Sequence, residues 1–413
     1  MLESNYKNAQ DFYAQWGIDT EAVIRALADV PVSLHCWQGD DVCGFEDPDA
    51  GLSGGIMTTG NYPGKARTID ELRSDVEFAL SLLPGKHRLN LHAIYGEFSQ
   101  KVERTDIGVE HFQGWIDWAK QQGIGLDFNP TLFSHPMANT GFTIASSDEG
   151  VRKYWVEHCI ACRRIAQAMG EQLLNPCVNN IWASDGMKDI PYSRLTFRQN
   201  MEKSLDEIFD PCNNINRDYC LDAVESKLFG IGSESFVPGS HEFYMGYAVK
   251  HQTLLCLDSG HFHPTETISD KISSVLMFVP EILLHVSRGV RWDSDHVVII
   301  TDDLQAIAQE LVRGGFLSRT HIGLDFFDAS INRIAAWTIG ARSMRQALLI
   351  AMLEPAAALA QAEHDYDYTT RLALLEACKA APWQAVWDKF CQVNNTPVGL
   401  DWLKAVKQRE KNR

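Results

Sequence analysis

Eight short apolar runs, each separated from the next by an amphipathic helical pattern, constrain this chain more than any other feature. The runs are VPVSLHCW (30–37), HRLNLHAIY (87–95), GIGLDFNP (123–130), LLNPCVNNIW (173–182), LDAVESKL (221–228), TLLCLD (253–258), EILLHVS (281–287) and RTHIGLDFF (319–327). Segments such as IDELRSDVEFALSLL (69–83), HFQGWIDWAKQQ (111–122), SDEGVRKYWVEHCIACRRIAQAMG (147–170) and DDLQAIAQELVRGG (302–315) lie between them. Apolar residues there recur at helical spacing, with Ser or Asp at several starts and Gly at several ends. Strand and helix in strict alternation predict an α/β protein built as a (β/α)8 TIM barrel. The rival, an open doubly wound sheet, would want a GxGxxG after the first strand, and none is there. HVVII (296–300) reads equally as a ninth strand or the start of a helix.

A length of 413 residues exceeds one ordinary core, which a large barrel or a second unit accommodates. Beyond about residue 340 the pattern is helical only, more helix than a barrel needs to close. The division expected is therefore a catalytic barrel over 1–340 and a C-terminal helical extension over 341–413. The apolar faces of that extension suit packing against a neighbouring subunit.

In a barrel, side chains at the C-terminal ends of strands face the active site. The fifth strand ends at Glu225, with Lys227 beyond it. The sixth ends at Asp258, followed by His261. The seventh ends at His285, followed by Asp293 and Asp295, and the last at Asp325; earlier, LNLHAIY places His92 at the end of the second. Helix capping gives no reason for imidazoles and carboxylates to gather on adjacent strands. Without thiolate, such a set suits Mn²⁺, Mg²⁺, Co²⁺ or Zn²⁺ acting on an oxygen-rich substrate. Seven donors exceed what one ion takes while keeping positions open. Two ions are expected, one held by Glu225, Asp258, His285 and Asp325, the other by His261, Asp293 and Asp295. His263 and Glu266 fall outside, with Pro264 turning the chain between them.

A formal net charge of −17 argues against nucleic acid or an anionic membrane as partner, because phosphate binding needs a basic face. No apolar stretch approaches a transmembrane span, and the start lacks the charged and apolar regions of a signal peptide. Ten scattered cysteines, many within apolar runs, fit reduced thiols in a cytoplasmic enzyme. Cys159 and Cys162 have CxxC spacing, but they sit within a helical pattern and no second pair completes a zinc site.

VESKLFGIG, LCLDSGHFHPTE, HVSRGVRWDSDHVV and HIGLDFFDASINRIAAW together resemble the L-rhamnose isomerase family, of the type found in enterobacteria. The resemblance runs from VSLHCWQGDD to ALLEACKAAPWQAVW, nearly the whole chain, and extends more widely to xylose isomerases through the Glu225–Lys227 ExK motif. It implies a cytoplasmic, homotetrameric aldose–ketose isomerase that interconverts L-rhamnose and L-rhamnulose with Mn²⁺, other divalent ions substituting. By motif, Glu225, Asp258, His285 and Asp325 resemble the ligands of a structural ion; His261, Asp293 and Asp295 resemble those of the catalytic one.

The chemistry that follows asks for ring opening and for movement of a hydrogen between C2 and C1, either as hydride or through an enediol with a water oriented by Asp325. His92 is the candidate for ring opening. Lys227 is a candidate either to bind substrate O1 or to pair with a ligand carboxylate. The 6-methyl group of the sugar calls for an apolar wall, for which Trp37, Phe133 and Trp182 are placed at or just after strand ends. GLSGGIMTTGNYPGKAR (51–67) suits a lid or a long connection. The rivals are a two-metal barrel hydrolase or abasic-site endonuclease, which the acidic balance disfavours, and a metal-stabilised binding protein, which the open second ligand set disfavours.

Overall fold

The computed structural model describes residues 2–46, 56, 58–228, 234–263, 265–290 and 293–411. Most of the first half of the lid segment (51–55 and 57) and Pro264 therefore lie outside the described residues. Eight parallel strands close a barrel in sequence order: β1 Val32–His35, β2 His87–His92, β3 Gly125–Asn129, β4 Cys177–Trp182, β5 Cys220–Glu225, β6 Leu254–Asp258, β7 Ile282–Val286 and β8 Thr320–Leu324. Seven fall within the apolar runs, and β5 starts one residue before its run. Most of their residues are buried, as strands wrapped by helices must be.

The intervening helices start where the chain supplies a cap. Thr68, Asp148, Ser193, Thr301 and Asn332 each accept a backbone N–H from the first turn of the helix they precede. Gly123 ends the helix Gln113–Gln122 in the left-handed region, at φ +68°. The helix Arg333–Met352 spans residue 340 and packs against the helices Asp302–Arg313, Ile69–Ser81 and Thr20–Asp29, so it continues the ring around the barrel. Helices at Ala356–His364, Tyr368–Lys379, Trp383–Val393 and Asp401–Lys411 follow it. Residues 297–300 form neither a barrel strand nor a helix. His296 makes a two-bond antiparallel bridge with Arg288, and the chain then runs to the Thr301 cap.

Side chains alternate along each strand, so every second residue points inward. The floor of the barrel is apolar on β4 to β7, where Val178, Ala223, Leu254, Cys256 and Leu283 pack together. On β1 to β3 it is polar. The Arg88 guanidinium clasps Asp127 at 2.8–3.1 Å, and Ser33 donates to the same carboxylate at 2.7 Å. Cys159 and Cys162 are buried free thiols in the helix Glu149–Leu173, as the helical reading of CxxC requires.

Candidate functional site

Strand pairing brings the end-of-strand residues to one level. Trp182 pairs with Glu225, Asp258 with His285, His285 with Gly323, and His92 with Asn129. Above this layer opens a cavity of about 500 Å³. His285 Nδ1 lies 3.3 Å from Glu225 Oε1, 3.2 Å from Asp325 Oδ2 and 3.8 Å from Asp258 Oδ2. His261, carried by the turn after β6, places Nε2 3.3 Å from Asp293 Oδ2 and 4.0 Å from Asp258 Oδ2, with Nδ1 3.6 Å from Glu225. One oxygen or nitrogen from each of Glu225, Asp258, His285 and Asp325 falls within 4.8 Å of every other. The same holds for Asp258, His261 and Asp293.

Two donor groups thus form, and Asp258 belongs to both, a sharing that a division by count could not foresee. Asp295 stands outside the second tight group but lines the same cavity. Its backbone is held in the left-handed region, at φ +42°, and its carbonyl accepts from Phe327 N at 3.2 Å. Burial and the charges of Asp293, Asp325 and Asp258 push its carboxyl well above the usual range. His263 and Glu266 turn outward to Thr265 and Lys271, away from the cluster.

The electrostatics are those of carboxylates and imidazoles crowded together away from solvent. Burial, with Glu225, Asp325 and Asp293 nearby, raises Asp258 to about 8. His261 and His285 are raised despite burial, which opposes their charging, because acidic groups surround them. Asp325 goes the other way. Burial pushes it up, but bonds from His285 and from the Trp37 indole (Nε1 to Oδ1, 3.0 Å) outweigh this and hold it at about 2. His261 Nδ1, His285 Nε2 and Asp293 Oδ1 are buried without a hydrogen-bond partner, which ordinary folding avoids. Oxygen and imidazole donors, short mutual distances and orphaned atoms together fit hard divalent cations.

The remaining candidates divide. Trp37, Phe133 and Trp182 all line the cavity, and His92 stands between the first two, with ring centroids 4.9 and 5.6 Å away. Trp37 also holds Asp325, a polar task beyond the apolar wall expected of it. Lys227 departs from both expectations. The chain turns after β5, with Lys227 N donating to Gly239 O at 3.1 Å, and its side chain swings under Trp182. There Nζ donates to Ser184 O at 2.7 Å and pairs with Glu234, which is not one of the clustered carboxylates. Lys227 is not among the described residues lining the cavity.

Sequence reasoning missed several lining residues. Asn180 and Asn129 point inward, and Asn180 Nδ2 donates to Glu225. The two-residue period running back from Trp182 and Glu225 was the signal for Asn180. Val42, Ile56 and Phe327 add apolar surface from outside the strands and carried no such signal.

Comparison with known proteins agrees with this geometry. The family model described as L-rhamnose isomerase (RhaA) matches residues 1–413. An L-rhamnose isomerase of Rhodopirellula baltica is 59% identical over 409 residues, covering 99% of this chain and 95% of that protein. That of Citrobacter koseri is 58% identical over 410 residues, covering 99% and 97%. Among solved structures, an L-ribulose 3-epimerase superposes with a TM-score of 0.51 at 10% identity, covering 78% of this chain and 95% of its own. A D-allulose 3-epimerase from Methylomonas sp. gives 0.51 at 10%, covering 78% and 98%. The structural likeness speaks for the barrel alone, whereas the sequence matches span the strands, the donor cluster and the C-terminal helices, and on them this chain belongs to the L-rhamnose isomerase family.

Proposed function

We infer that this chain is an aldose–ketose isomerase that interconverts L-rhamnose and L-rhamnulose, the ions at its centre being Mn²⁺ with Mg²⁺, Co²⁺ or Zn²⁺ as substitutes. The observation that carries the reading is the family match over the whole chain, joined to five carboxylates and two imidazoles at the mouth of a closed barrel. Glu225, Asp258, His285 and Asp325 hold one ion; His261, Asp293 and Asp295 hold the other, with Asp258 in reach of both. When bound, the two ions supply positive charge to the substrate oxygens on C1 and C2 as the hydrogen moves between those carbons.

The protein's own groups do the rest. Neutral His92, held below its usual range by burial at about 3, faces the sugar ring and moves the proton that opens it. Asp325 stays ionised because His285 and Trp37 donate to it, and so it orients the hydroxyl hydrogen presented to it. Phe133 and Trp182, with Val42 and Ile56, seat the 6-methyl group and exclude water. Lys227 sits beneath Trp182 as a cationic support; for Nζ to reach substrate O1 it would have to leave Glu234.

The hydrogen moves from C2 to C1 either as hydride, with no base acting at carbon, or as a proton through an enediol; by either route O2 gives up its proton and O1 gains one. Full retention of C2 deuterium in the ketose assigns the hydride route, and extensive exchange with solvent assigns the enediol one. Exposed Tyr368 and Leu372 on the helix Tyr368–Lys379, with Tyr366 in the turn before it, offer an apolar face to a second copy, in keeping with the homotetramer that the family resemblance implies. Mostly buried free cysteines suit a reducing compartment, and on them we place the enzyme in the cytoplasm. Among the described residues no helix is long and apolar enough to cross a membrane. Ketose formation from L-rhamnose, measured with Mn²⁺ and again with EDTA, tests the whole reading. Failure to form ketose from this or any other aldose would refute it.

A further inference from the structure

His92 is fixed from behind by a hydrogen-bond chain that has no part in the donor cluster. Its Nδ1 lies 3.2 Å from Thr131 Oγ1. Thr131 is itself immobilised, with no exposed surface. Its amide N–H donates to His158 Nε2 at 3.1 Å, and its carbonyl accepts from Arg104 Nη1 at 2.6 Å. His158 in turn faces the Arg104 carbonyl through Nδ1 at 2.8 Å. Because a backbone N–H must donate to His158 Nε2, that imidazole carries its hydrogen on Nδ1 and gives it to Arg104 O. Arg104 closes the network by pairing with Glu46 at 2.8 Å. Held through both backbone groups by this buried network, Thr131 keeps its hydroxyl in one place.

We propose that Thr131 is a positioning residue for ring opening: its hydroxyl accepts from His92 held as the Nδ1–H tautomer and so turns the Nε2 lone pair to the cavity. The inference rests on the reading of His92 as the ring-opening group. Nε2 takes the proton from the anomeric hydroxyl O1 as the C1–O5 bond breaks. The O1 electron pair becomes the C1=O1 bond, the C1–O5 pair goes to O5, and Nε2 returns the proton there. Nothing is consumed, and His92 ends neutral. In the opposite tautomer Nε2 would carry the hydrogen and could not accept from O1. The sequence alone showed no such link, because His92 ends β2, Thr131 lies just past the end of β3 and His158 is on the helix after it.

The test combines kinetics with the tautomer itself. Thr131→Val keeps the shape and removes the hydroxyl; kcat for L-rhamnose should fall about tenfold with KM within about threefold of wild type. Thr131→Ser restores the oxygen and should recover kcat to within about twofold. Nitrogen-15 spectra of histidine-labelled enzyme, with the His92 signals identified by their loss in His92→Asn, should show hydrogen on Nδ1 and a bare Nε2. An Nε2–H form in the wild-type enzyme overturns the proposal with no variant needed. So does a serine variant as impaired as the valine one, or a valine variant that keeps its kcat while His92→Asn loses activity. If His92→Asn itself keeps kcat, the ring-opening reading fails and the proposal falls with it.

Discussion

A methyl group on Gly260 probes the donor cluster without altering a single donor atom. Gly260 lies in the turn between Asp258 and His261, and its N–H donates to Asp258 Oδ1 at 2.6 Å. A Cβ built there would stand 2.5 Å from Asp293 Oδ1, 3.1 Å from Ser287 Oγ and 3.2 Å from Asp258 Oδ1. An ordinary carbon–oxygen contact needs about 3.3 Å, so the Asp293 oxygen must retreat by about 0.8 Å. Ligand distances in metal sites tolerate only about 0.2 Å. Gly260 is not in the left-handed region, so alanine carries no backbone penalty and the contact alone decides the outcome. Gly260→Ala should therefore weaken the ion held with His261 and Asp293 by about 10–100-fold, or about 1.4–2.7 kcal/mol. The group containing Glu225, His285 and Asp325 should keep its affinity within about threefold, since Asp258 is barely crowded. Calorimetric titration of metal-stripped protein with Mn²⁺ resolves the two classes, and circular dichroism checks the fold. Two unchanged classes would show that Asp293 is not a ligand; loss of both would show that the donors act as one inseparable set.

Three further expectations follow from the same geometry. With Asp258 raised to about 8 and both clustered histidines raised, the metal-free cluster retains protons at pH 7, whichever group carries them. Loading Mn²⁺ must then release protons, and affinity should climb as pH rises towards 8; calorimetry in buffers of differing ionisation enthalpy that detects no release contradicts this. Trp37→Phe keeps the apolar ring but removes the N–H that donates to Asp325, a charged hydrogen bond worth about 1.5–3 kcal/mol. It should lower kcat by about 10–150-fold with little change in KM, and a variant changed mainly in KM would make Trp37 a wall only. Tyr62 ties the segment beside the cavity to the last helix through Glu410 and Lys407, while Thr59 and Tyr62 pair with the Ala329 backbone. Tyr62→Phe should speed amide exchange in 58–66 several-fold and leave the strands unaffected; exchange confined to the helix Asp401–Lys411 would mean the tie serves that helix instead.

What could be read from the residue order follows from how a barrel is made. A strand writes its inward face into every second position, and its C-terminal end is the active-site face in this architecture. Glu225, Asp258, His285 and Asp325 were therefore legible as one ring before any coordinates, and so was His92. Lys227 obeys the same two-residue period yet escapes the rule, because the strand stops at Glu225 and a turn bonded to Gly239 decides where the side chain goes. Position past the end of a strand is set by partners distant in sequence. The same reason hides Val42 and Ile56, which reach the cavity from the connection after β1, and Thr131, whose importance lies in touching His92 on another strand. HVVII resisted assignment because its apolar run serves neither strand nor helix; only the bridge from His296 back to Arg288 gives it a place. Metal donors announce themselves through rare residue types gathered at strand ends, whereas the groups that aim them are ordinary threonines, glycines and tryptophans. Gly260 and Trp37 belong to that second kind: neither offers a donor atom to the cluster, yet each fixes the position of one that does. The parts of this site least visible in its sequence are thus the ones that set the geometry of its most visible parts, and substitutions there test the mechanism more finely than removal of a ligand does.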